Sequence, residues 1–204
     1  MPIELSVSLQ AHLAHSSATH RRLCPRQVLG VRMARFACIT LGIDPALQRK
    51  RIFVYMENGH CIADGVIAVT CASPTNGLMQ LLPYGKMAAT FVDAESGNAL
   101  RVREHPDSRQ AGICFLPEIA SPWTAQVQAY QVMPDELLLS WQPVALAAPF
   151  PQKVGKHKVA CEACGDLVHE HCEVLLDGLT LCKACADGAY YKALEPVAVN
   201  LPVL

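Results

Sequence analysis

Apolar and polar positions change rhythm along the chain, and each rhythm predicts an element. Residues 4–18 set Leu5, Val7, Leu9 and Leu13 among polar neighbours, which predicts a helix ending near Ser16-Ser17. Residues 25–42, PRQVLGVRMARFACITLG, predict a longer helix with a broad apolar face of Val28, Leu29, Val31, Met33, Phe36, Ala37, Ile39 and Leu41. Pro25 suits the first helical position, where its missing N–H would be unpaired in any case. Gly42 suits the stop. Gly30 and Ala34, four residues apart, leave room for another element to approach closely. RIFVYM at 51–56 predicts a strand, and ENGHC a turn. CIADGVIAVTC at 61–71 has no decisive period; the preceding turn, with Cys61–Asp64 as a first turn, favours a helix. SPTNG at 73–77 is loop, and strands are expected over 78–82, 86–92 and 99–104, with Ser96-Gly97 turning the last two into a hairpin. Ser121 as N-cap and Pro122 open a helix over 121–133. DELLLSWQPVAL at 135–146 reads as a closing strand.

This order predicts an α+β fold with a mainly antiparallel sheet and packed helices. AAPFPQ at 147–152 interrupts it with two prolines, so a first domain is expected over 1–150, a small second one over 153–195 and a tail over 196–204.

Composition narrows the class. Hydrophobic residues make up 51% and charged residues 17%, a globular balance. The net charge of −1 gives the whole molecule no pull toward polyanions. No run approaches the ~18 apolar residues that cross a bilayer. The first residues lack the basic start of a signal peptide, so a cytoplasmic protein is expected. In a reducing compartment the ten cysteines point to metal or redox chemistry rather than disulfides.

Half of those cysteines lie in the last quarter of the chain. Residues 161–185 read CEACGDLVHEHCEVLLDGLTLCKAC, two CxxC pairs separated by 17 residues. Each pair turns two thiolates toward one centre, and four satisfy tetrahedral zinc, so Cys161, Cys164, Cys182 and Cys185 are assigned to structural Zn2+. Asp177-Gly178 between VLL and LTL predicts a hairpin. A redox pair fits this spacing less well. His169, His171 and Cys172 compete as ligands in principle, but read as surface residues. Residues 153–192 carry five Lys, no Arg and six acids, so the finger lacks a basic footprint for nucleic acid and suits a protein partner or a structural role.

The N-terminal half holds a looser set: His20, Cys24, His60, Cys61, Asp64 and Cys71. Taken singly, each cysteine is most simply packing, and Cys38 and Cys114 are read that way. Cys24 stands at a helix start, where the dipole and free N–H groups lower a thiol's pKa, and Arg21, Arg22 and Arg26 add positive charge. Cys61 and Asp64 put a thiolate and a carboxylate on one helical face. Residues 1–52 carry eight Arg or Lys against two acids, which suits either a solvated face or a small anionic ligand near Cys24.

HRRLCPRQVLGVRMA resembles the FHGHLCPGxxLGxRMA opening of the FmdE family, named for a component of formylmethanofuran dehydrogenase. CIADGVIAVTCASPTNGLMQLLPYGKMAATF is similar to that family's CxxDAIQ…TGCTxGKxNL…DYGKMAxTF. The likeness runs over residues 8–146, and residues 161–185 resemble the TraR/DksA-like zinc finger that some members carry. The resemblance implies an FmdE-like α+β core, a homodimer, and a metal pocket. It places the family's His on His20, its CP cysteine on Cys24, its CxxD pair on Cys61 and Asp64, its TGCT cysteine on Cys71 and the lysine of YGKMA on Lys86. The chain departs from the pattern where HGH is His20-Arg21-Arg22, where CPG is Cys24-Pro25-Arg26, and where GK after TGCT is Pro74-Thr75. The span from Asp64 to Cys71 is one residue short. His60, next to Cys61, is the candidate replacement for the lost second His.

Two readings follow. In the first, Cys24, Cys61 and Cys71 with His20 or His60 bind a second, thiophilic metal, Asp64 is a further ligand or the general base, and Cys24, Asp64 and Lys86 serve catalysis in an enzyme or accessory factor linked to molybdenum or tungsten formylmethanofuran dehydrogenase-like metabolism. In the second, the protein is a non-catalytic interaction or regulatory factor that docks through its finger. A thiol-redox enzyme ranks third, because the only CxxC pairs are those assigned to zinc.

Overall fold

A computed structural model of the chain describes residues 3–18, 20, 22–148 and 157–192; Arg21, much of the expected domain boundary and the expected tail fall outside them. The chain divides into two compact units, Met1–Phe150 and Pro151–Leu204. Among the described residues no helix is long and apolar enough to cross a membrane.

In the first unit, α1 (Leu9–Ser17) and α2 (Pro25–Leu41) precede β1 (Ile52–Met56) and α3 (Cys61–Thr70). Strands β2 (Met79–Leu81), β3 (Ala88–Asp93) and β4 (Ala99–Glu104) follow, then α4 (Ser108–Phe115), α5 (Pro122–Val132), α6 (Asp135–Leu138) and β5 (Leu139–Val144). The sheet order is β2-β1-β3-β4-β5. All neighbours are antiparallel except β1 and β2, which run parallel with Val54 opposite Met79. The fold is therefore α+β with a mainly antiparallel sheet, as the element order implies.

Alternation along the strands sorts the sheet's two faces. Val54, Met56, Ala89, Phe91, Leu100 and Val102 join the helices' Val28, Leu29, Met33, Ile62 and Val66 in the main core. Phe53, Val92 and Ala99 form a smaller cluster with Tyr55 and Val144. Phe91, Leu29, Met33 and Ile62 are fully buried, each stabilising the fold by about 1.5–3 kcal/mol. Arg101 grips Glu57 through two hydrogen bonds of 2.7 and 2.8 Å, and Arg51 grips Asp93 at 2.9 and 3.0 Å. Such forked pairs hold both side chains to one geometry.

The element reading needs four corrections. The first helix starts at Leu9, not residue 4, because the Ser8 side chain accepts from the Ala11 amide and caps it. Leu5 is buried ahead of that helix. Residues 135–138 form a helical turn before the closing strand begins at Leu139. Helix α4 has no counterpart in the sequence reading: it is eight residues long and lies between Pro106 and Pro117. Strand β2 joins the sheet edge in parallel, a pairing no local pattern announces.

Among the described residues, the second unit holds two short ribbons and one helical turn. Strands β6 (Lys158–Ala160) and β7 (Leu167–His169) pair antiparallel, as do β8 (Val174–Leu176) and β9 (Leu179–Leu181), which the Asp177-Gly178 turn joins. Helix α7 (Lys183–Asp187) starts at Cys182. Among the described residues the unit's buried apolar cluster is Cys161, Val168 and Leu181.

Candidate metal centres and the adjoining pocket

The N-terminal site is built where two helices begin. Cys24 is the N-cap of α2, and Cys61 is the first residue of α3. Their first turns lie side by side because α2 and α3 cross at glycines. A β-carbon on Gly30 would run into the Ile62 carbonyl, and one on Gly65 into the Gln27 carbonyl and the Val31 amide. Only bare backbone fits this crossing. Gln27 secures the entry: its Oε1 accepts from the Cys24 amide at 2.9 Å, and its Nε2 donates to the Ser16 carbonyl at 2.7 Å. That second bond ties the end of α1 to the start of α2 and brackets the link that carries His20.

His20, Cys61 and Asp64 come together here. Their ligand atoms all lie within 4.8 Å of one another, and His20 Nε2 is 2.9 Å from Asp64 Oδ2. All three are half-buried, open enough to admit an ion. Asp64 lies in the first turn of α3, where the helix dipole favours negative charge. An imidazole, a thiolate and a carboxylate form a donor set that suits a borderline divalent metal.

Cys24 adjoins this group, and its side chain meets that of Cys61. Its acidity departs from the sequence expectation. Burial, and next the neighbouring Cys61, push the Cys24 thiol above its ordinary pKa, although the Gln27 amide pulls the other way. The arginines do not reverse this: Arg22 lies over the Trp123 ring, 4.2 Å from its centroid. A bound metal would deprotonate such a thiol outright.

Other candidates fall elsewhere. His60 is the N-cap of α3, with an exposed side chain, and it is not part of the gathered group. Its amide donates to Asn58 Oδ1 at 3.1 Å. Cys71 caps the far end of α3 at a φ of 56°; ten residues of helix rise put it about 15 Å from Cys61, too far to share an ion. Cys38 is buried, and burial pushes its thiol up to about 12, so it is inert packing. Cys114, by contrast, is exposed, where packing was expected.

Beside Cys24 opens a pocket of about 470 Å³, lined by Arg26, Leu29, Met87, Glu104, Arg109, Trp123 and Tyr130 among others. Arg32 holds its far wall: it donates to the Tyr130 and Met133 carbonyls at 2.8 and 2.9 Å and to Asp135 at 2.6 Å, closing the end of α5 against α2. Ser108 donates to Glu104 at 2.8 Å, and the Tyr130 hydroxyl is 3.5 Å from the same oxygen. Lys86 lines a second hollow, about 510 Å³, that shares Met87, Glu104 and Arg109 with the first. Sequence reasoning missed Glu104, Arg109, Trp123 and Tyr130; only the helix signal at Ser121-Pro122 pointed to that wall.

In the second unit Cys161, Cys164, Cys182 and Cys185 gather, with all four sulfurs within 4.8 Å of one another. The amides of Cys182 and, next, Cys164 face Cys161 and draw its thiol down to about 6. The two CxxC turns thus point both sulfurs and N–H groups at one centre, as a four-thiolate metal site requires.

Comparison with known proteins agrees with this architecture. A curated protein of Archaeoglobus fulgidus, a probable S-adenosyl-L-methionine-binding protein, is 27% identical over 208 residues, covering 89% of this chain and 54% of its own length. The chain thus spans about half of that relative. The crystal structure of a tungsten formylmethanofuran dehydrogenase FmdE-like protein from Syntrophus aciditrophicus superposes with a TM-score of 0.64 at 20% identity, covering 94% of this chain and all of that one. The profile of the FmdE family, molybdenum formylmethanofuran dehydrogenase operon, matches residues 19–140, a span that runs from the His20 link through the sheet to β5. On that match, across more than half its length, the chain belongs to the FmdE family.

Proposed function

We propose that this protein is an FmdE-type metal protein with two kinds of centre, a structural zinc on the four C-terminal cysteines and a reactive metal on His20, Cys61 and Asp64. The gathering of those three side chains at the paired helix starts carries the reading. Three protein ligands leave a coordination position for a bound molecule or for Cys24. A metal there would supply Lewis acidity toward a bound oxygen or thiol. His20 Nε2 and Asp64 Oδ2, 2.9 Å apart, already bring an imidazole nitrogen and a carboxylate oxygen to one point, as two ligands of one ion require. Arg26 and Arg109 line the adjoining pocket and favour a small anionic ligand. Lys86, at the neighbouring hollow, extends that positive lining. Chemistry of this kind suits a cytoplasmic enzyme or accessory factor linked to molybdenum or tungsten formylmethanofuran dehydrogenase-like metabolism, acting as a homodimer.

The Archaeoglobus relative's name makes S-adenosyl-L-methionine a second ligand to try. The aromatic Trp123 and Tyr130 and the Glu104 carboxylate line the pocket and suit a sulfonium cation.

Elemental analysis of the full chain and of its Cys61→Ser and Asp64→Asn variants tests the main reading. The variants are expected to hold one metal equivalent fewer than the wild type while the four-cysteine centre stays filled. Equal metal content would overturn the N-terminal centre and leave a finger-docked, non-catalytic factor. Titration calorimetry with S-adenosyl-L-methionine on the wild type and a Glu104→Gln variant decides the pocket's ligand class.

A further inference from the structure

The C-terminal unit brings together a third set of donors that its cysteines do not use. His157 precedes β6, while His171 and Glu173 follow β7, and their ligand atoms lie within 4.8 Å of one another. His157 Nε2 is 2.9 Å and His171 Nδ1 is 3.7 Å from the same Glu173 oxygen, Oε1. The two imidazoles stack with centroids 3.8 Å apart and planes 3° from parallel. Two rings held face to face, with a nitrogen of each turned to one carboxylate oxygen, converge on a single point.

Two further features set this apart from a surface histidine pair. The other Glu173 oxygen, Oε2, is buried without a hydrogen-bond partner among the described residues; leaving a carboxylate oxygen so costs free energy unless a cation or water satisfies it. The backbone also bends to present His171. Glu170 and His171 both take left-handed φ values, 58° and 56°, which non-glycine side chains rarely adopt. The Glu170 amide donates to the His157 carbonyl at 3.1 Å and holds that bend in place.

The cluster cannot serve the four-cysteine centre. His157 and Cys161 are four residues apart along β6, about 13 Å at strand rise. Cys161 and Cys164 belong to the turn at one end of the β6–β7 ribbon; His157 and His171 stand at the other.

We propose that His157, His171 and Glu173 form a separate binding site for a divalent transition-metal cation of the zinc class. Two imidazole nitrogens and one carboxylate oxygen are a known zinc donor set with a position left over. The ion would cross-link the start of β6 to the segment leading into β8, so the small unit is clasped at both ends of its ribbon. His171 is exposed, as the sequence reading expects, and the proposal gives that surface residue a ligand role.

The test is cobalt binding to the full chain after zinc has filled the cysteine centres. Extra Co2+ should bind with weak visible bands and no thiolate charge-transfer absorption, since no sulfur is among the ligands. His171→Ala and the near-isosteric Glu173→Gln should each lose that one sulfur-free equivalent. The same variants, loaded with cobalt throughout, should keep the charge-transfer band of the four-thiolate centre, which reports that the unit is folded. A wild type that binds no sulfur-free equivalent, or variants that bind as much as the wild type, would overturn the site. A failure of the His20–Cys61–Asp64 centre would show instead as thiolate absorption that Cys61→Ser leaves unchanged, so the two proposals fail separately.

Discussion

His12 is only 6% exposed, and its Nδ1 lies 2.9 Å from Arg35 Nη1. A guanidinium only donates, so the ring nitrogen accepts and the imidazole stays neutral. Burial first, then Arg35 and His15, lower its pKa from 6.5 to about 4, against a weaker upward pull from Asp44. A base with a depressed folded pKa leaves the unfolded chain holding more protons between those values. Stability from this residue is therefore full above pH 6.5 and declines as pH falls toward about 4. The urea midpoint should drop between pH 7 and pH 5, and less so in His12→Gln; equal pH slopes in the two proteins would argue against it. His12 carries no signal in the sequence, because its burial depends on α2 packing against α1. Cys24, Cys61 and Asp64 stand out in the sequence because each marks a helix start or its first turn, and His20 because it lies in the short link just before one. Cys71 misled because it is near Cys61 in sequence but a full helix away in space. Glu104, Arg109 and Tyr130 come from distant segments that only the fold brings to Cys24.

Helices α2 and α3 carry the N-terminal site, and their crossing admits no side chain. Gly65→Ala would drive a methyl group into the backbone of α2, and Gly30→Ala would do the same to α3. Overpacking of this kind costs about 1–3 kcal/mol, and more where the obstacle is main chain. Both variants should unfold at lower urea concentration and lose metal at the His20–Cys61–Asp64 site, although neither residue is a ligand. A Gly30→Ala protein with wild-type stability would mean that the helices can slide apart freely. The small size of Gly30 is visible in the sequence as a sign of close packing; its partner, Gly65, carries no such mark. The helix at 61–70 is favoured over a strand by its first turn alone, since its apolar run has no distinctive period. Helix α4 has too few turns, and too many flanking breakers, to register. The DELL turn is hidden because it runs directly into strand residues of similar apolar content.

For the molecule as a whole, the two units depend on different forces. The first buries a continuous core between sheet and helices. The second has, among its described residues, three buried residues in its core, two of them apolar side chains and the third a metal-type cysteine. So small a core cannot offset chain entropy without metal. Chelation should therefore abolish amide exchange protection across 157–192 while the strands at 52–56, 88–93 and 99–104 keep theirs. Protection that survives removal of all metal would contradict this. The CxxC spacing makes the thiolate centre of the second unit plain in the sequence. The His157–His171–Glu173 cluster stays hidden because it depends on a left-handed bend and on a strand pairing that closes around it.

The glycine crossing also divides the chain's freedom to change. The distance between the first turns of α2 and α3 is set by main chain against main chain, not by the side chains that would hold a metal. Ligand identity and helix placement are thus inherited separately. On the proposed reading, side chains at 20, 24, 61 and 64 would set metal preference while the crossing holds the scaffold. This chain already carries Arg22 and Arg26 where the family pattern has His and Gly, and its helices still meet. One methyl group at position 30, about 9 Å along the helix from Cys24, would do what several ligand changes would not. Engineering of new metal selectivity should therefore vary the rim and leave positions 30 and 65 untouched.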